Sequence, residues 1–123
     1  MCIRDSSSGA DPAVNGTATG GTVVNQVGKY GKAFKFDGVD DKVTHTLATN
    51  TTHAKYTVSI WAKPETVVQA NYTGIFNSGN TGADFQLDIF DGEWRYAGDT
   101  AGNRILGSVT TDWTHIGLSL IHI

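Results

Sequence analysis

A chain of 123 residues with 17% charged side chains and a formal charge of −3 is a single-domain candidate with no surplus of positive charge to neutralise phosphates. Nucleic-acid binding is therefore not expected. No apolar run reaches the roughly 18 residues that cross a bilayer, so no membrane insertion is expected, and a single cysteine, Cys2, excludes an internal disulfide framework.

The chain opens on MCIRDS and closes on LSLIHI, which resemble the translated adaptor sequence that flanks fragmentary metagenomic reading frames. Residues 1–6 and 119–123 are accordingly expected to be non-native ends and are set aside, leaving 7–118 as the domain. Asp5 to Gly21 is rich in Ser, Gly, Ala and Thr without apolar periodicity and reads as an irregular entry loop. Thr22 to Val27 reads as a short strand before a turn at Gly28 to Gly31. Ala33 to Phe36 is a second strand, with Phe34 and Phe36 on one face. Asp37, Gly38, Asp40 and Asp41 make a turn in which Gly supplies a positive φ and Asp bonds its own backbone, and Lys42 to Thr46 returns as a strand with Val43 as its main apolar contact.

After the polar connection Leu47 to Ala54, the strand Tyr56 to Lys63 alternates Tyr56, Val58, Ile60 and Ala62 with Thr57, Ser59, Trp61 and Lys63. Pro64 closes it. Tyr72 to Asn77 and Asp84 to Phe90 read as strands around a Gly-rich turn, the latter with Phe85, Leu87 and Ile89 on one face. Asp91-Gly92 is a compact hairpin signal, predicting that Trp94 to Ala97 folds back antiparallel. Ile105 to Val109 and Trp113 to Leu120 supply the last strands. Helical periodicity is nowhere sustained, so the expected class is all-β: two stacked sheets closing over Phe34, Phe36, Val58, Ile60, Leu87 and Ile89.

Three segments in a fixed order carry a family resemblance: GKAFKFDGVDD at Gly31 to Asp41, YTVSIW at Tyr56 to Trp61, and WTHI at Trp113 to Ile116. Together they resemble the laminin G-like and pentraxin-like branch of the concanavalin A-like superfamily of lectins and glucanases. The resemblance implies an antiparallel jelly-roll β-sandwich. Family members also carry an apolar strand before the first segment, and a Tyr-x-Asp-Gly-Lys hairpin and closing strand after the last. Both are missing here, so an incomplete jelly roll, truncated at both ends, is expected.

Three constellations could carry chemistry. Asp88, Asp91 and Glu93 form a carboxylate group of the kind glycoside hydrolases use, but Asp88 and Asp91 differ by an odd number with a turn between them. A polar hairpin tip accounts for them, and no catalytic residue is assigned. Asp37, Asp40 and Asp41 offer clustered oxygen ligands to a hard cation. The resemblance implies Ca2+ at Asp40 or Asp41, against the plainer reading in which Asp37 and Asp40 cap the turn and Asp41 is solvated. Trp94 and Tyr96 share a strand face, Tyr72 is a possible neighbour, and Asp99, Asn103 and Arg104 follow in a loop. Sugar rings lay their C–H faces on aromatic rings while amides and charged groups bond their hydroxyls, so these six residues are the candidate ligand-binding set. Core or edge packing is the competing reading for the two strand aromatics.

Trp61 and Trp113 occupy positions that the resemblance makes structural, and the four histidines lack the spacing of a zinc site. The expectation is a carbohydrate- or glycoprotein-binding module, not an enzyme, covalently linked to neighbouring domains of a larger secreted or cell-surface protein. A fragment of a jelly-roll glycoside hydrolase and a structural spacer without a ligand are the alternatives.

Overall fold

A computed structural model describes residues 16–45, 56–78, 85–98 and 102–120. Every regular element among them is a strand, and every paired strand runs antiparallel. No helix among the described residues is long and apolar enough to cross a membrane. In chain order the strands are β1 (Thr17–Thr19), β2 (Val23–Val27), β3 (Lys32–Lys35), β4 (Lys42–Thr44), β5 (Tyr56–Ala62), β6 (Thr73–Asn77), β7 (Phe85–Phe90), β8 (Glu93–Gly98), β9 (Arg104–Ser108) and β10 (Thr114–Leu120). β1 is the element missed by sequence reading. Its Thr-Ala-Thr run has no apolar alternation, and all three residues are exposed. It is a strand only because it pairs with β4.

The chain divides into two compact units, one comprising residues 1–63 and 113–123 and the other residues 64–112. In the first, β5 pairs with β10 along its full length, from Thr114 opposite Ala62 to Leu120 opposite Tyr56. The ladder therefore runs into the segment set aside as a non-native end, because Ser119 pairs with Thr57. Alternation separates its two faces. Ala62 and Ile116 are buried, with Val58, Ile60, Thr114 and Leu118 half-buried on the same face; Thr57, Ser59, His115, Gly117 and Ser119 are exposed on the other, around a half-buried Trp61. β2 and β3 form a second pair, joined by a turn in which the Gly28 N–H donates to the Gly31 carbonyl at 2.9 Å. The expected proximity of Phe34 and Phe36 is present, their rings lying 6.3 Å apart.

The second unit is a four-stranded sheet in the order β6-β7-β8-β9. Asp91-Gly92 makes the expected tight hairpin: both residues have positive φ (52° and 75°) and the flanking Phe90 and Glu93 are paired. Register then assigns the faces, because residues opposite each other point the same way. Leu87, Ile89, Trp94 and Tyr96 lie on one face and are 1–3% exposed. The other face carries Gln86, Asp88, Phe90, Glu93, Arg95 and Ala97. Gly98 ends β8 where the Tyr96 phenol folds over the position a Cβ would occupy. Of the expected core residues, Leu87 and Ile89 are buried, whereas Phe34, Phe36, Val58 and Ile60 are half-buried.

Shortening Ile116, 5% exposed and opposite Ile60, removes methylene contacts from the inner ladder face. Ile116→Ala is expected to lower the unfolding free energy by about 2–5 kcal/mol, read as a fall in the urea midpoint.

Candidate functional site

Three groups of side chains stand out once the faces are assigned. The first lies on the outward face of the β5–β10 ladder. Trp61 and His115 are cross-strand partners with ring centroids 5.0 Å apart. Ser59 Oγ and His115 Nε2 share a hydrogen bond of 2.9 Å, and Thr57 and Ser119 share one of 3.0 Å. Gly117, opposite Ser59, would meet only the His115 ring at 3.8 Å if it carried a Cβ, so it leaves a flat floor beside the two rings. From the β2–β3 turn, Tyr30 sets its ring against Trp61 at 5.7 Å and 77°, and Lys29 Nζ stands 5.6 Å from the Trp61 ring centre. Tyr30 remains 73% exposed. The result is an open aromatic shelf bordered by hydroxyls, an imidazole and an ammonium.

The second group is the acidic loop between β3 and β4. Asp37 Oδ1 accepts the Val39 N–H at 2.8 Å, the self-bonding turn expected from the sequence, and Gly38 has φ +82°. Asp41 Oδ2 accepts the Asp37 N–H at 2.7 Å. Asp41 is thus half-buried and engaged rather than solvated, and its other oxygen is buried without a hydrogen-bond partner among the described residues. One oxygen from each of Asp37, Asp40 and Asp41 falls within a 4.8 Å span. This loop could hold a metal ion, although exposed acidic groups also cluster without one.

The third group is on the polar face of the four-stranded sheet. Asp88 is fully buried and Arg95 is 7% exposed. They are directly opposite across β7 and β8, and their pairing is bidentate: Nε donates to Oδ1 at 2.9 Å and Nη2 to Oδ2 at 2.6 Å. Gln86 Nε2 also donates to Oδ2, at 2.7 Å. The guanidinium carbon sits 4.5 Å from the Phe90 ring centre and 5.1 Å from that of Tyr72. Hydrogen bonding to Asp88 raises the pKa of Arg95 above its ordinary value against the opposing effect of burial. A raised folded-state value contributes fully below the unfolded arginine pKa and is lost only as pH rises through the folded one, far into the alkaline range. The Arg95 contribution is therefore constant through neutral pH.

The residues expected to bind ligand separate. Trp94 and Tyr96 do share a face, but they are 2% and 3% exposed, so packing claims them and they offer no open platform. The Trp94 Nε1–H is itself sealed without an acceptor among the described residues. Tyr72 is 63% exposed, but it contacts Phe90 and Arg95, on the sheet face opposite the two buried aromatics. Asn103 and Arg104 are exposed, with Arg104 Nη1 donating to the Asn103 carbonyl at 3.1 Å; Asp99 lies outside the described residues. Of the carboxylates weighed for catalysis, Asp88 is committed to Arg95, and Asp91 sits in the hairpin turn.

The shelf is not evident from the motifs, because the family resemblance makes Trp61 a packing residue. The alternation that put Trp61 opposite Val58 and Ile60 was the signal that it faces outward. Neither a protein-family model, nor a curated protein, nor a solved structure matches the chain.

Two substitutions probe these groups. Asp88→Ala leaves a buried guanidinium uncompensated and is expected to cost about 3–5 kcal/mol by urea denaturation, whereas Asp88→Leu combined with Arg95→Met should cost less than the single change. Asp40→Asn relieves repulsion among the three loop carboxylates, so in chelator it should raise the melting temperature, by an amount that shrinks as salt is added.

Proposed function

We propose that the chain is a carbohydrate- or glycoprotein-binding module of a larger secreted or cell-surface protein, acting by binding rather than by catalysis. In this reading the strands belong to a laminin G-like jelly roll of the concanavalin A-like kind. The order of the strands, their antiparallel pairing and the three motifs at Gly31 to Asp41, Tyr56 to Trp61 and Trp113 to Ile116 support it.

The observation that carries the proposal is the outward face of the β5–β10 ladder. A sugar has an apolar C–H face and a rim of hydroxyls, so its complement is a flat aromatic surface edged by groups that both donate and accept hydrogen bonds. Tyr30 provides the open ring, Trp61 a wall nearly perpendicular to it at 77°, Gly117 the floor, and Ser59, His115 and Lys29 the edge. In the acidic loop the donors are all carboxylate oxygens, so the ion it would take is calcium rather than zinc.

A glycan array probed with the chain, with and without calcium, tests the reading. Bound glycans are expected, and Trp61→Ala should weaken the strongest hit by at least tenfold; because Trp61 is half-buried against Tyr30 and His115, binding is compared below the melting temperature of the variant. Absence of binding in both conditions would favour the spacer, and unchanged binding by Trp61→Ala would remove the shelf as the site.

A further inference from the structure

The polar face of the four-stranded sheet holds more hydrogen-bonding capacity than its own residues consume. An arginine has five N–H donors, and Arg95 gives Nε–H and one Nη2–H to Asp88. Among the described residues nothing accepts from Nη1. That nitrogen is not sealed from solvent, since the side chain keeps 9% of its surface open and no Arg95 atom is among the buried polar atoms without a partner. Gln86 is in the same position. Its amide nitrogen is spent on Asp88, and its carbonyl oxygen is left as an acceptor.

Tyr72 borders this opening under strain. Its φ is +67°, a conformation that costs a non-glycine residue on the order of 1 kcal/mol or more. The backbone is held there by the Tyr72 N–H donating to the Ile89 carbonyl at 2.9 Å and by Asn71 Oδ1 accepting the Asp91 N–H at 2.9 Å. What the strained geometry achieves is placement: the phenol ring covers the Arg95 guanidinium and meets Phe90 at 5.1 Å, and the residue is still 63% exposed.

We propose that Tyr72, Arg95 and Gln86 form a second glycan subsite, specific for neutral sugars. This rests on the glycan-binding reading above and adds a site to it. One sugar of the chain lies on the open side of Tyr72, and the adjoining sugar, past the edge of the phenol ring, accepts from Arg95 Nη1 through a ring or hydroxyl oxygen and donates a hydroxyl to Gln86 Oε1. Charge decides between neutral and acidic sugars. Asp88 already neutralises Arg95, and Glu93 shares the face, so an approaching carboxylate or sulfate meets no surplus of positive charge and one like charge. The donors serve a neutral oxygen without that penalty.

The test uses the whole chain and four probes: laminarihexaose, cellohexaose, maltohexaose and, as the acidic control, hexagalacturonate, titrated by calorimetry. At least one neutral hexaose is expected to bind, with hexagalacturonate at least tenfold weaker. Tyr72→Gly removes the ring at a position where glycine carries no strain, and should weaken that binding at least tenfold without lowering the melting temperature by more than a few degrees. Tyr72→Asn, also tolerant of positive φ, serves if the glycine variant fails to fold. In the unaltered chain, the hexaose should shift the Arg95 Nε–H resonance in an NMR spectrum selective for arginine side chains.

Binding unchanged by Tyr72→Gly and an unmoved Arg95 resonance would overturn the second subsite while leaving the Trp61 shelf standing. Loss on Tyr72→Gly with none on Trp61→Ala would do the reverse. Tighter binding of hexagalacturonate than of every neutral probe would overturn the assignment of sugar class.

Discussion

The bidentate pair between Asp88 and Arg95 is the interaction that fixes the four-stranded sheet. A carboxylate with no exposed surface must be answered by a partner inside the same structure. Arg95 answers it from the directly opposite position on β8. The pair is therefore satisfied in one register only: slipping β8 by a single residue would turn Arg95 to the other face and bring Trp94 or Tyr96 to the carboxylate. Apolar alternation pushes the same way, since Leu87, Ile89, Trp94 and Tyr96 are buried together in that register. One face is thus set by apolar burial and the other by charge. The Asp91-Gly92 turn, with its two positive φ values, closes the hairpin in that register.

The ladder in the first unit is held differently. No described charge pair crosses it, and its register rests on the contrast between an apolar inner face at Val58, Ile60, Ala62, Ile116 and Leu118 and an outer face of hydroxyls, an imidazole and one indole. That contrast also makes the shelf. Side chains that must not face inward are presented outward in a row, and cross-strand bonds between Ser59 and His115 and between Thr57 and Ser119 hold the row in place. Binding chemistry on this face is a by-product of register, with the β2–β3 turn adding Tyr30 and Lys29 from outside the ladder.

Much of the fold was legible because strands write themselves in period two. Tyr56 to Ala62, Phe85 to Phe90 and Thr114 to Leu120 were readable from alternation, and the hairpin from Asp91-Gly92. The Thr17–Thr19 strand was not, since nothing in three exposed residues distinguishes a strand from a loop. The sites were harder to read. Sequence marks Trp94 and Tyr96 as sharing a face but does not say that this face is the buried one; the opposite face, with Asp, Arg and Gln, looks like the solvated side until Asp88 and Arg95 are seen to consume each other. Tyr72 illustrates the same limit. Its exposure follows from a positive φ that a tyrosine rarely adopts and that no local motif announces.

Asn71 ties together two places where the backbone leaves the ordinary left half of conformational space. Its side-chain oxygen holds the amide of Asp91, which is one left-handed residue, and its own peptide leads directly into Tyr72, the other. Neither turn can relax without releasing its counterpart, so this end of the sheet opens as one piece.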